Sequence, residues 1–280
     1  MANPNKDQAD FWSKKPGLTW SENDEAMDAT LAPVLDHLLE VAALQPGERV
    51  LDIGCGTGLS TVRAAEAVGA QGHATGADIA EQMLVKARAQ ADGVQNADFL
   101  CADAQTHAFE DGAFDAVISR FGVMFFADPP AAFANIARAV KPGGRMVFMT
   151  WASGPENPWF AVPRAVAIDR LGEVEPTPPN APGPMGLADV DYTREQFAKA
   201  GLENVTITPV SMHLTPPGTA HWMGEFSLIL GPASRIFADL EGTEEDAAAI
   251  VAGVAERFKA CETENGLRIP AVLNRIEVQC

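Results

Sequence analysis

This sequence predicts an α/β fold, doubly wound around a mostly parallel sheet, and three observations carry that prediction. From residue 49 onward, short apolar runs alternate with amphipathic helical stretches, the pattern of a sheet covered on both faces. Three glycines, Gly54, Gly56 and Gly58, directly follow the first apolar run. Three acids, Asp52, Asp78 and Asp103, stand at or just past the ends of successive runs. Such residues gather along the carboxyl edge of the sheet, where open α/β sheets bind ligands.

The elements follow in order. Residues 1–48 read as an N-terminal helical extension or lid, with a helix over 24–43 and Trp12 and Trp20 ahead of it. Residues 49–151 form the core. Its strands are Arg49–Ile53, His73–Asp78, Ala97–Cys101, 114–119 and 145–151. A helix starts at Ser60, and a second runs through Met83, Leu84 and Ala87. A third opens at Pro129-Pro130 behind Asp128, since proline suits a first helical turn. Lys141-Pro142-Gly143-Gly144 reads as a turn into the fifth strand. Residues 152–280 complete the sheet and add a lid and a helical insertion. A helix over 157–171 precedes a Pro/Gly-rich loop over 175–186. Thr193 and Gln196 suggest a capping box for a helix ending at Gly201. A sixth strand covers 205–213, two helices fit within 216–265, and a last strand over 270–278 lies at the C-terminal edge. The three stretches are read as one domain.

Composition narrows the function. The formal net charge is −18, and an acidic surface repels phosphate backbones and anionic lipid heads. Nucleic acid and membrane partners are therefore not expected. The four cysteines are scattered and suit a reducing compartment. The polar N-terminus has no signal-peptide apolar core, and no run is long enough to span a bilayer. A cytoplasmic protein is expected. No His or Cys spacing suggests a metal. The oligomeric state is not written in the sequence.

The chemistry lies in Asp52-Ile53-Gly54-Cys55-Gly56-Thr57-Gly58. A strand feeding a glycine turn and then a helix brings backbone close to a ligand. A dinucleotide site reads G-x-G-x-x-G; here the third glycine comes one residue early. The acid directly before the turn suits a cationic ligand end, such as a sulfonium bearing an α-amino group, better than a pyrophosphate. Asp78, twenty positions beyond Gly58, can accept two ribose hydroxyls. Asp103 can accept from an adenine amine, with the Ala104 backbone at the ring edge.

These motifs, followed by Phe114-Asp115-Ala116-Val117 and Lys141-Pro142-Gly143-Gly144, resemble the class I S-adenosylmethionine-dependent methyltransferases. The likeness is to the ubiquinone/menaquinone C-methyltransferase-like, small-molecule branch, and it covers roughly residues 45–151. It implies a Rossmann-like seven-stranded sheet with the last strand antiparallel, and S-adenosyl-L-methionine as cofactor. Gly54, Gly56 and Gly58 would wrap the methionine portion, Asp78 the ribose and Asp103 the adenine. Trp20, Ile79, Met83, Ala104 and Ser119 complete the expected cofactor contacts. Relatives often carry Ser or Thr two residues after the ribose acid; Ala80 stands there instead and removes a helix cap worth about 1 kcal/mol.

On the acceptor side the candidates are Arg120, Trp151 and His213. Arg120 matches a substrate carboxylate or, equally, a structural ion pair. Met124, Phe125 and Phe126 suit an apolar acceptor pocket or core packing. Trp151, Asn157 and Trp159 suit the pocket rim or a docked loop, and His213 is more simply structural. The expected function is in-line methyl transfer to a small, partly apolar molecule. Two rivals are a nicotinamide-dependent oxidoreductase on a similar sheet and a non-catalytic S-adenosylmethionine-binding module.

Overall fold

A computed structural model describes residues 4–280; residues 1–3 of the expected extension lie outside it. The extension is three helices, α1 (Lys6–Trp12), α2 (Lys15–Glu22) and α3 (Asp24–Ala42), so Trp12 and Trp20 sit on helices of their own. The core follows as β1 (Arg49–Ile53), α4 (Leu59–Val68), β2 (His73–Asp78), α5 (Glu81–Gln90), β3 (Ala97–Cys101), β4 (Phe114–Arg120), α6 (Pro129–Arg138) and β5 (Val140–Trp151). The remainder is α7 (Pro158–Leu171), α8 (Val190–Lys199), β6 (Val205–Leu214), α9 (Ala220–Ser227), α10 (Pro232–Asp239), α11 (Glu244–Phe258), a small β7–β8 pair (Glu262–Thr263 and Gly266–Leu267) and β9 (Ile269–Gln279).

The main sheet has seven strands in the order β3-β2-β1-β4-β5-β9-β6. Its first five are parallel, and β9 runs antiparallel to both β5 and β6. The last strand is antiparallel as expected, but it is not at the edge: it is inserted between β5 and β6. Ile269, Ala271, Leu273, Ile276 and Val278 are buried, which a central strand requires. The edge falls to β6, where Pro209 sits opposite Asn274. A proline cannot donate a ladder bond, so it marks an edge strand.

Alternation along β5 separates the two faces. Arg145 points to the end of α3, where it donates to the Ala42 and Ala43 carbonyls and pairs with Glu48 at 2.8 Å. Phe148, three residues on, points the other way and meets α6 and α8. There Phe133 and Phe197 stack at 4.0 Å, with Phe148 6.3 Å from Phe133. α3 lies across β4, β5 and β6, while α9, α10 and α11 gather around α7 beyond the sheet.

Three local readings change. Lys141–Gly144 is not a turn ahead of β5 but an irregularity inside it. Val140 already pairs with Phe114, the register slips before Ala116, and Gly143 takes a left-handed φ of 82°. Asp115 anchors this kink by accepting from Lys141 Nζ at 2.6 Å and from the Arg49 amide at 2.8 Å. α8 is capped by Asp189, which accepts from the Tyr192 amide, whereas Thr193 donates to the Leu187 carbonyl from within the helix. The 216–265 stretch holds three helices rather than two.

The aromatic layer generates a prediction. Phe133 is fully buried, so Phe133→Ala is expected to cost about 3–5 kcal/mol in urea unfolding. The exposed Phe11, changed to Ala, should shift stability by no more than about 0.5 kcal/mol.

Candidate cofactor and acceptor site

The three turn glycines have left-handed φ values, 65° at Gly54, 56° at Gly56 and 95° at Gly58, and do different things. A Cβ on Gly54 would lie 2.5 Å from the Gly122 Cα, so two backbones cross there. A Cβ on Gly58 would press on Ala87 at 2.8 Å and Phe99 at 3.0 Å, which is helix–sheet packing. Only Gly56 faces open space, with the Met83 Cε 3.6 Å from its Cβ position as the sole neighbour. Of the three, Gly56 therefore leaves room for a ligand, and the other two are explained by the protein itself.

The crossing is held by Ser119 at the end of β4. Its hydroxyl donates to the Ile53 carbonyl at 2.7 Å and accepts from the Gly122 amide at 3.0 Å. Phe121, between them, has a φ of 70°, a strained conformation for a side-chain-bearing residue. Ser119 is thus spent on backbone.

The three acids differ in how much of each is left over. Asp52 is buried under the turn, where its Oδ2 accepts from Ser60 at 2.6 Å and Thr61 at 2.7 Å; its Oδ1 has no partner. Burial raises its pKa, against the opposing pull of Ser60, Thr61 and the Arg120 charge. Asp78 accepts from the Gly56 amide and the Ala80 amide, each at 2.9 Å, and each oxygen keeps a second lone pair. Burial raises its pKa too, against the Ala80 and Gly56 amides. The Ala80 amide donates to Asp78, and α5 starts after Ala80 with no side-chain cap. Asp103 Oδ1 accepts from the Gln105 amide at 3.0 Å and from the Asn5 side chain at 2.8 Å, while its Oδ2 is buried with no partner. Ala104 is buried alongside and offers its carbonyl to Asn135 at 2.9 Å. Ile79 is half-buried above the end of β2. The Cys55 thiol, buried in the turn, is pushed well up by burial and by the charges of Asp78 and Asp52, which rules it out as a thiolate nucleophile.

The N-terminal helices dock on this edge of the sheet. The Gln82 amide meets the Trp12 carbonyl, and Lys86 donates to the Ser21 carbonyl at 2.7 Å and to Asp24 at 2.5 Å. Trp12 packs edge-on to Trp20 at 6.2 Å and to Phe125 at 5.3 Å. Trp12 therefore bridges the extension to the chain just past β4, and Trp20 backs it from α2.

Arg120, at the end of β4, pairs with Asp28 of α3 at 2.6 Å, both largely buried. Its second terminal nitrogen, Nη1, is buried and unpartnered. Trp151 is buried, stacked on Phe121 at 4.6 Å and edge-on to Phe160 at 4.9 Å. Met124 is buried, and its carbonyl accepts from the Gly183 amide of the Pro/Gly-rich loop at 3.1 Å. The loop leaves a cavity of about 330 Å³ bordered by Ser153, Asn180, Met185 and Asp189. Two candidates are used elsewhere: Asn157 is locked to Val272 through both ends of its amide, and Trp159 packs on Phe226. His213 is exposed on the edge strand β6, with β5 and β9 between it and β4; the structure does not bring it to Arg120. Asn5 and Asp28 are the site residues that sequence reasoning missed.

Comparison with known proteins gives this geometry a class. Residues 50–144 match the family described as Methyltransferase domain. Aklanonic acid methyltransferase DauC of Streptomyces sp. (strain C5) is 40% identical over 118 residues, 41% of this chain and 54% of that protein. Demethylmenaquinone methyltransferase of Clavibacter sepedonicus is 38% identical over 154 residues, 51% of this chain and 62% of that protein. The chain thus spans between half and two-thirds of the length of these curated relatives. The YcgJ protein of Bacillus subtilis shares the fold, with a TM-score of 0.53, 19% identity and coverage of 89% of this chain and 98% of that one. Residues 50–144 are therefore similar to a methyltransferase domain, and these two curated relatives are methyltransferases.

Two glycine substitutions separate packing from ligand room. Gly54→Ala should lower unfolding free energy by about 3 kcal/mol or more, because strain adds to a backbone collision. Gly56→Ala should cost only about 1–2 kcal/mol, read in the same denaturant titration, while weakening cofactor binding.

Proposed function

We propose that this chain transfers a methyl group from S-adenosylmethionine to a small, partly apolar acceptor, by in-line displacement, in the cytoplasm. The observation that carries the reading is the unpartnered, buried Oδ2 of Asp103, just past the strand that pairs with the one ending in Asp78. An orphaned buried carboxylate oxygen costs about 1–3 kcal/mol or more unless a donor meets it. An exocyclic amine is such a donor.

The residues fit the cofactor at each end. Asp103 would take the adenine amine, the free lone pairs of Asp78 the ribose hydroxyls, and the open face of Gly56 the methionine portion. Trp20, Ile79 and Met83 would supply apolar cover. The cofactor, when bound, supplies an electrophilic methyl carbon and a neutral thioether leaving group. The chain's own task is to hold the acceptor in line and dry. Such positioning is worth about 7–11 kcal/mol in favourable cases. The Phe121–Trp151–Phe160 stack is a rigid apolar wall at the ends of β4 and β5, and Arg120 Nη1 is a donor for an anionic group of cofactor or acceptor.

An apolar acceptor agrees with the names of the relatives, which are aklanonic acid and demethylmenaquinone methyltransferases. Among the described residues no helix is long and apolar enough to cross a membrane. The charge of −18 favours small-molecule over nucleic-acid partners. We read residues 1–48, 49–151 and 152–280 as parts of one domain, since α1, α2 and α3 dock on the core. The nicotinamide alternative meets a specific obstacle. Asp52 is bonded to Ser60 and Thr61 in the first turn of α4, where a pyrophosphate would need that helix end free of negative charge.

Calorimetric titration with S-adenosylhomocysteine tests the reading. The native chain should bind, and Asp78→Ala should weaken binding about 10-fold to 100-fold through loss of hydrogen bonds to a charged acceptor. A native chain that ignores this ligand but takes up a nicotinamide dinucleotide would sink the proposal. The same titration has a predicted pH dependence. Ribose hydroxyls favour the ionised form of Asp78, whose pKa burial raises. Binding should therefore weaken as pH falls through that raised value, which burial places above the usual aspartate range.

A further inference from the structure

Asn5 is buried, only 3% exposed, although it lies at the start of the described chain. It occupies the N-cap position of α1, where an asparagine side chain ordinarily accepts from the helix's own first amides. No such bond forms. The side chain instead reaches across the fold. Its amide nitrogen donates to Asp103 Oδ1 at 2.8 Å and to Gln105 Oε1 at 3.1 Å. Its carbonyl oxygen accepts from the Ala127 amide at 2.7 Å. Gln105 Oε1 also accepts from the Asp128 amide at 3.0 Å. One primary amide thus ties together the N-terminal extension, the loop after β3 and the loop leading into α6.

The asymmetry at Asp103 is informative. The Asn5 amide and the Gln105 amide both fall on Oδ1, while Oδ2 is buried and unpartnered. A carboxylate is free to turn about its Cβ–Cγ bond unless donors fix its plane. Two donors on one oxygen fix it and leave the other presented in a set direction. Buried networks of this kind are stiff because each bond polarises the next.

The geometry points to Asn5 as a positioning residue for adenine recognition, acting through Asp103, so that the N-terminal extension sets the base specificity of the cofactor site. This rests on the S-adenosylmethionine reading above. Asn5 orients the acceptor that reads the exocyclic amine. A fixed carboxylate accepts from a 6-amino group and repels a 6-oxo group, whose oxygen is itself an acceptor. Discrimination between the two bases is therefore the property that Asn5 controls.

The test is calorimetry with S-adenosylhomocysteine and with its 6-oxo analogue, S-inosylhomocysteine, on the native chain, Asn5→Ala and Asn5→Asp. Asn5→Asp keeps the size and the acceptor for the Ala127 amide but removes the donor to Asp103. The native chain should prefer the 6-amino ligand. Asn5→Ala should narrow that preference about tenfold, mostly by weakening S-adenosylhomocysteine, with the 6-oxo ligand little changed. Asn5→Asp should narrow it at least as far, and it decides the matter if Asn5→Ala does not fold. A preference kept at its native ratio in the variants, whether or not both affinities drop together, would overturn the assignment and leave Asn5 a structural clamp. A native chain that binds neither ligand would instead bring down the methyltransferase reading and this inference with it.

Discussion

The crossing of two backbones at Gly54 and Gly122 is the constraint on which the site depends. A side chain on Gly54 would lie 2.5 Å from the Gly122 Cα, so the end of β1 and the segment after β4 share a space that only hydrogens fit. Ser119 clasps both strands there, and the chain meets the crossing by holding Phe121 at a left-handed φ. That orientation stacks Phe121 on Trp151. The glycine turn and the apolar wall beside it are consequences of one close approach. Strain of this kind, about 1–3 kcal/mol per residue, persists because the surrounding sheet over-determines it.

Charge burial is the second cost that the core carries. Asp52 and Asp78 are desolvated, and burial raises both pKa values. The Ser60 and Thr61 hydroxyls and the Arg120 charge oppose that shift at Asp52, and the Ala80 and Gly56 amides oppose it at Asp78. Arg120 is itself balanced by Asp28, which α3 brings to β4. The N-terminal extension is therefore part of the electrostatics of the site as well as its cover. Lys86 and Gln90 on α5 both reach Asp24 at the start of α3, which fixes the extension against the helix that follows Asp78.

The fold was legible where local pattern carries the information. Apolar runs gave β1, β2 and β3 to the residue, and Asp128-Pro129-Pro130 marked the start of α6. The glycine spacing and the acids at Asp52, Asp78 and Asp103 could be read because each sits at a strand end, and strand ends converge. The rest depended on partners far along the chain. β9 is central because both β5 and β6 pair with it, and no periodicity within 269–279 tells a central strand from an edge. The Thr193–Gln196 pattern resembled a cap, but Asp189 stood one turn earlier and took that role. Asn5 and Asp28 meet Asp103 and Arg120 across 98 and 92 residues. An Asn near a terminus gives no local sign of such a contact.

On the proposed function, one crevice lined by Gly56, Asp78 and Asp103 holds the nucleoside of the cofactor. A crystal structure of the chain with S-adenosylhomocysteine tests it most directly. The ribose hydroxyls should lie on Asp78 and the adenine amine within hydrogen-bonding distance of Asp103 Oδ2, the oxygen that has no partner in this structure. A ligand seated elsewhere on the fold, or seated here with that oxygen still unpartnered, would contradict it.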